Sequence, residues 1–407
     1  MAPPKQPPNN LTVWNVMNSG ATGDGTTDDT AAIQATINAA ATSATTHGGG
    51  IVYFPPGNYK VSSTLQITTG GIHLLGPGPS ATQLIGANAS ADIISFSGTP
   101  ANSIFGNSVR DMTISSSVSR TGGAGINVAH AQSLLIDFVD FFSQFVGISL
   151  GIGTAVIYVS NVYILSTSSV GVLVQGGNDQ YISNLVVNNQ GALACVRIRD
   201  SGAVFMSNCD LLGAQNGLLI DPIAGAGQGQ GVLFCSFDSV YCDSNGQYGV
   251  QLNPQSGPGI RSLTFTSCWT ASAKLDGFLS GGTAGCDGIH LIGHRSFNNA
   301  QYGLRIGANN FNFTVDSSNF SGNGQSAPNV YDGIHIHAGT RFWQIRNCKS
   351  GAGFGFGGTQ RYGIAVEPGN VGSYMVVGNV LGGNASGGLQ LSGVTASFAV
   401  NANNLQP

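Results

Sequence analysis

The sequence predicts an all-β fold, a single-stranded right-handed parallel β-helix of about 11–12 coils closed at its N-terminal end by an amphipathic helix. Three observations predict it. A short phrase recurs along the chain: a small residue, then apolar and outward residues in alternation, as in "VGISLGI", "NGLLIDP", "YGLRIGA", "DGIHIHA" and "YGIAVEP". Its second residue is Gly125, Gly147, Gly171, Cys195, Gly217, Gly249, Gly277, Gly303, Gly333, Gly363 and Gly388, at gaps that never fall below 22 residues. A fixed minimum with variable excess is what a solenoid requires, because its loops can grow while its core coil cannot. A second phrase follows in each coil, as in "IYVSNVYI", "QYISNLVV" and "WQIRNCKS", ending on Asn, Ser or Cys. Finally, 61 glycines stand beside one glutamate and four lysines, a composition of strands and turns rather than helices.

The elements follow in order. Residues 1–19 read as an N-terminal arm, 20–50 as a capping segment and 51–407 as one continuous β-helix. Within "TTDDTAAIQATINAAATSA", Ile33, Ile37, Ala40 and Ala44 share one helical face. Thr27 or Asp28 is placed to cap its start and Gly48–Gly50 to stop it. The end of a β-helix is an exposed sheet edge, and a helix laid over it is the expected remedy. In the second phrase, Asn161, Asn184, Asn208, Asn347 and Asn379 are expected to stack at one turn, since Asn tolerates left-handed backbone and can bond its neighbour's amide. Cys209, Cys268 and Cys348 follow that turn and read as structural.

Composition excludes some function classes. Net charge is −4, only 8% of residues are charged, and no basic field suits nucleic acid. No apolar run is long enough to span a membrane. Seven cysteines without CxxC spacing read as free thiols. No signal peptide is visible, so a phage virion protein and a secreted protein lacking its leader are both compatible.

At this point the chain resembles a known family. "GATGDGTTDDTAAIQATI" (20–37), "GGGIVYFPPGNYKV" (48–61) and "LLGPGPSAT" (74–82) are similar to the N-terminal signature of the pectate lyase superfamily. That group of right-handed parallel β-helices includes polysaccharide lyases, glycoside hydrolases and phage tailspike depolymerases. The resemblance implies a polysaccharide partner and, for a tailspike, a homotrimer. It implies fold more than reaction. Asp24, Asp28 and Asp29 belong to it and read as turn and cap residues.

Strand alternation turns the repeat into a map of the outer surface. One outward column runs Asn127, Ser149, Leu173, Arg197, Leu219, Gln251, Leu279, Arg305, His335, Ala365, Gln390. The next runs Ala129, Gly151, Gln175, Arg199, Asp221, Asn253, Gly281, Gly307, His337, Glu367, Ser392. Before the glycines stand Tyr248, Asp276, Tyr302, Asp332 and Tyr362. His335, His337, Arg305 and Glu367 therefore converge, with Tyr302 and Tyr362 flanking Asp332.

Two chemistries suit such a group. A lyase acting on a uronate needs a base (His335, His337 or a Tyr), a cation such as Arg305 beside the substrate carboxylate, and an acid. A glycoside hydrolase needs two carboxylates, about 5–5.5 Å apart for retention or ~6.5–9.5 Å for inversion. Asp276 and Asp332 lie two coils apart, about 9–10 Å, while Glu367 is expected too far from Asp332 to pair directly. The expected function is depolymerisation of an acidic polysaccharide, lyase slightly ahead of hydrolase. The alternatives are a non-catalytic polysaccharide-binding adhesin and a uronate epimerase.

Candidate catalytic residues are His335, His337, Asp332, Glu367, Arg305 and Asp276. Candidate substrate-binding residues are Tyr302, Tyr362, Tyr248, Arg197 and Arg199. Arg199 is expected to pair with Asp221, and Leu173, Leu219 and Leu279 to offer a partner surface. "CDGIHLIGHRSF", with Asp287, His290, His294 and Arg295, reads as a possible second wall of the groove. No cofactor and no metal ligand set is read from the sequence.

Overall fold

The computed structural model describes residues 13–47, 49–222, 229–255, 259–353, 355, 357–370, 372–395 and 398–406. Every strand pairing between successive coils is parallel, and about 13 turns result. That is slightly more than the glycine phrases count, because the first two turns, built from Gly50–Tyr53, Gly57–Val61 and Leu65–Ile67 and then from Ile72–Leu75, Thr82–Gly86 and Ile94–Ser97, have no such phrase.

The first outward column is in register at every step. Arg305 lies opposite Leu279, His335 opposite Arg305, Ala365 opposite His335, and Gln390 opposite Ala365. The apolar partners one residue earlier stack inside: Ile148, Val172, Val196, Leu218, Phe278, Leu304, Ile334 and Ile364 are all fully buried. Each such side chain contributes about 1.5–3 kcal/mol relative to exposure, which sets the register against slippage by one residue. The glycines that precede all of these but Val196, which follows Cys195, are there for close approach rather than for turning. A Cβ on Gly147 would lie 2.6 Å from the Gly171 carbonyl oxygen of the next coil.

The asparagine turn forms as expected at four positions. Asn161, Asn184, Asn208 and Asn347 all have φ between 51° and 54°. Asn184 donates to Asn161 at 3.1 Å and Asn208 to Asn184 at 2.7 Å. Asn379 does not belong to this ladder. Gly378 takes the left-handed position, and Asn379 sits one place later in the buried column. The same buried column holds Cys209, Cys268 and Cys348, and all seven cysteines are buried and free. Burial pushes six of these thiols up to about 12, and Cys242 well above its ordinary range.

The capping helix spans Thr30–His47, and Ile33, Ile37 and Ala40 are buried against the first coils. It starts one or two residues later than predicted. The Asp29 carbonyl accepts from Ile33, while the Asp28 carboxylate accepts from the Thr30 amide. Asp24 is a turn residue, its carboxylate taking the amides of Thr26 and Thr27. Gly48 and most of the expected arm lie outside the described residues. Val13–Asn15, at the end of that arm, instead forms a strand against the first coil. Among the described residues no helix is long and apolar enough to cross a membrane.

Candidate active site

An open cleft of about 470 Å³ lies on the face that carries the first outward column, towards the C-terminal end. Three successive coils supply its charged and aromatic lining, and Gln390 of the next coil borders it. Tyr302 and Arg305 come from the first, His335 and His337 from the second, Arg361, Tyr362 and Glu367 from the third. The middle strand is Ile334–Ile336, whose two isoleucines are fully buried. Alternation therefore turns His335 and His337 outward together.

Asp332 is the anchor beneath them. Its side chain is 0% exposed, and Arg361 grips it with Nε at 2.9 Å and Nη2 at 2.8 Å. It also accepts the Tyr362 amide at 3.1 Å and meets His335 Nδ1 at 2.8 Å. With both oxygens held by the guanidinium, the imidazole is the donor and its Nε2 faces the other way. There it lies 3.3 Å from Glu367 Oε1, and His337 Nδ1 lies 2.9 Å from the same oxygen. The Ala338 amide holds the other Glu367 oxygen at 2.9 Å. The His335 ring stacks obliquely on Tyr302, centroids 4.7 Å apart, and stands nearly perpendicular to His337.

Asp276 repeats the anchor two coils earlier. It is 0% exposed, accepts from Arg305 Nε at 2.8 Å and takes the Tyr302 amide. Each guanidinium also lies over its own tyrosine, Arg305 over Tyr302 at 5.6 Å and Arg361 over Tyr362 at 5.3 Å. Buried Asp–Gly corners thus hold arginine–tyrosine pairs at both ends of the cleft.

The electrostatics follow from burial and these pairs. Burial raises the Asp276 carboxyl above its ordinary range, against the pull of Arg305. Burial also raises the Tyr302 and Tyr248 hydroxyls. Burial lowers the His337 imidazole although Glu367 opposes it, so His337 favours its neutral form. Burial alone would raise Glu367, but the Ala338 amide and the two histidines outweigh it and the carboxyl lies below its ordinary range. The hydrogen bonds that Arg361 donates to Asp332 raise its guanidinium.

Several expectations need correction. Asp276 and Asp332 do not face the cleft as a carboxylate pair, since both are sealed beneath it by arginines. Glu367 does not pair directly with Asp332, as expected, but His335 bridges the two. Tyr248 stands behind Arg305 rather than lining the cleft. Asp221 pairs with Arg197, not Arg199. Arg197 and Arg199 lie four coils from Arg305, roughly 19 Å, outside this cleft. Leu219 is 4% exposed, so the three leucines do not form an open apolar surface. His294 is fully buried between Phe278 and Phe320 and forms no wall.

Arg361 was missed in the sequence because it precedes Tyr362 and falls outside the alternating phrase. The signal was a cation directly before Tyr-Gly, in the coil after Asp332.

Comparisons with known proteins complete the description. The family model described as rhamnogalacturonase A/epimerase, pectate lyase-like, matches residues 13–219, which end before the cleft. Mannuronan C5-epimerase AlgE2 of Azotobacter vinelandii is 45% identical over 71 residues, covering 16% of this chain and 7% of that relative. Among solved structures, the A-module of the Azotobacter vinelandii mannuronan C-5 epimerase AlgE6 has a TM-score of 0.62 at 18% identity, covering 96% of this chain and 98% of that one. Tailspike protein 3 of bacteriophage CBA120 has a TM-score of 0.66 at 14% identity, covering 97% of this chain and 60% of that one. These two likenesses are of fold.

Proposed function

Since the chain belongs to the rhamnogalacturonase A/epimerase, pectate lyase-like family, we propose that it modifies a polyuronate by removing the proton at C5 of a uronate ring. Loss of the C4 oxygen then makes it a lyase, and return of a proton to the opposite face makes it an epimerase. The observation that carries this reading is the state of the two aspartates. With Asp276 and Asp332 fully buried and each held by an arginine, the paired-carboxylate machinery of a glycoside hydrolase has no candidate pair in this cleft. What faces the cleft is suited to proton abstraction beside a carboxylate instead.

In this reading Tyr302, as the phenolate that Arg361 and Arg305 favour, takes the C5 proton and returns it to the leaving C4 oxygen in a lyase, while water on the opposite face protonates the ring in an epimerase. It lies between His335 and the Arg305 guanidinium, and burial raises its hydroxyl, which helps it hold the abstracted proton. Arg305 and Arg361 orient the substrate from both ends. His335, His337 and Glu367 form the floor of the cleft. Asp332 and Asp276 are positioning residues. Arg197 and Arg199 form a distant contact for the same anionic chain, and burial together with the Arg197 charge lowers Arg199. The curated relative's name, a mannuronan C5-epimerase, favours the same carbon.

The test is product analysis on a panel of polyuronates in D2O. Unsaturated chain ends seen by ultraviolet absorbance indicate a lyase. Deuterium at C5 in an uncut chain, seen by NMR, indicates an epimerase. Both should be lost in Tyr302→Phe, by about 10²-fold or more. New reducing ends with neither signal would sink the proposal in favour of hydrolysis. Tight binding with no product would favour an adhesin, a role compatible with the tailspike likeness.

A further inference from the structure

We propose that His335, His337 and Glu367 together bind one divalent transition-metal ion of the zinc type, open to the cleft. The ion itself is inferred from geometry alone. Only its use in catalysis rests on the reaction proposed above.

The ligand atoms are already gathered. One nitrogen from each histidine and one oxygen of Glu367 lie within 4.8 Å of one another. His335 Nε2 and His337 Nδ1 stand 3.3 Å and 2.9 Å from Oε1. A tetrahedral ion with bonds of about 2.0–2.1 Å separates its ligands by roughly 3.3 Å, near both histidine–glutamate spacings. Two imidazoles and one carboxylate, with the fourth position free, are a ligand set used by catalytic zinc sites. Imidazole nitrogens select transition metals over calcium or magnesium.

The surroundings are built for it. Asp332 accepts from His335 Nδ1, which turns the Nε2 lone pair towards Glu367. A carboxylate behind a histidine ligand is the usual support of a metal-bound imidazole. Arg361 fixes that carboxylate in turn, and the Ala338 amide fixes the oxygen of Glu367 that faces away from the histidines. His335 Nε2 and His337 Nδ1 both face the same oxygen, Glu367 Oε1, across 3.3 Å and 2.9 Å.

Charge points the same way. Two guanidiniums, Arg305 and Arg361, face three carboxylates, Asp276, Asp332 and Glu367. These arginines and carboxylates together carry one net negative charge, which repels a uronate. A divalent ion reverses the sign and offers its open position to the substrate carboxylate, where it would make the C5 proton more acidic.

The experiment uses the full chain stripped with a chelator and titrated with Co2+. One equivalent should bind, with the visible absorption of a tetrahedral cobalt site, and Zn2+ should displace it. His337→Ala and Glu367→Gln should abolish the band, and Asp332→Asn should weaken binding about 10–100-fold. Tyr302→Phe should bind cobalt unchanged. Uptake that survives both ligand substitutions overturns the site. So does no uptake by stripped protein with native circular dichroism, and the proton-bridged alternative would then show as a doubly protonated His335 in ¹⁵N NMR. Uptake without action on any polyuronate leaves the site standing and overturns the reaction. Full action by metal-free protein overturns the ion's part in it.

Discussion

Asp332 and His335 lie three residues apart on one turn and strand, joined by a 2.8 Å hydrogen bond whose acceptor is wholly buried. The bond joins interior to cleft. Arg361 neutralises the aspartate from the next coil, and the histidine carries the aspartate's orientation outward to Glu367.

Asp332→Asn should therefore cost about 3 kcal/mol, because it removes the charge opposite Arg361 and gives a buried site an amide that cannot accept all four N–H donors. Equilibrium urea unfolding measures it. A loss below about 1 kcal/mol would mean that the anchor does not hold the cleft together.

Arg305→Ala should be most damaging near neutral pH. The Asp276 carboxyl is already raised by burial, and Arg305 is the strongest influence holding it down. A carboxyl raised in the folded state stabilises it most below the unfolded value of 3.8, and that contribution is lost as pH rises through the folded value. Removing Arg305 raises the folded value further. The stability gap between wild type and variant should shrink on acidification from pH ~7 to ~5, read as melting temperatures. A constant gap would contradict the pairing.

His294 should make the fold sensitive to acid. Burial lowers its imidazole from 6.5 to about 3. A lowered histidine contributes stability that is fully present above 6.5 and lost as pH falls through that window, at most about 1.4 kcal/mol per pH unit. His294→Leu, an apolar side chain in a site bounded by Phe278 and Phe320, should flatten the stability profile between 6.5 and 3. An unchanged slope would place the acid sensitivity elsewhere.

At the corner ladder, Asn184→Ala should lose about 1–2 kcal/mol and Asn184→Gly less. Both lose the side-chain bonds to Asn161 and Asn208, but only alanine is strained at φ 51°. Paired denaturation curves decide it, and equal losses would mean that the ladder bonds, not the backbone, carry the effect.

Much of this molecule was legible from its residues. Strand alternation and a stacking repeat place Leu279, Arg305, His335 and Ala365 in one column without any coordinates. The physical reason is that a one-residue slip would expel the stack of buried isoleucines and leucines, so the side of each strand residue is dictated locally. Turn chemistry was equally readable at Asn161, Asn184 and Asn208. Depth was not. Whether Asp276, Asp332 or Leu219 is covered depends on how neighbouring coils fold over the corner, and the gaps between phrases vary because loops are free to differ. Nor could periodicity find Arg361, whose guanidinium reaches back one coil to a partner 29 residues away. The amino-acid sequence by itself determined the coil, its register and which side chains face outward. Tertiary structure alone decided which charges are buried, which arginine neutralises which aspartate, and that two histidines and a glutamate meet around one point in the cleft.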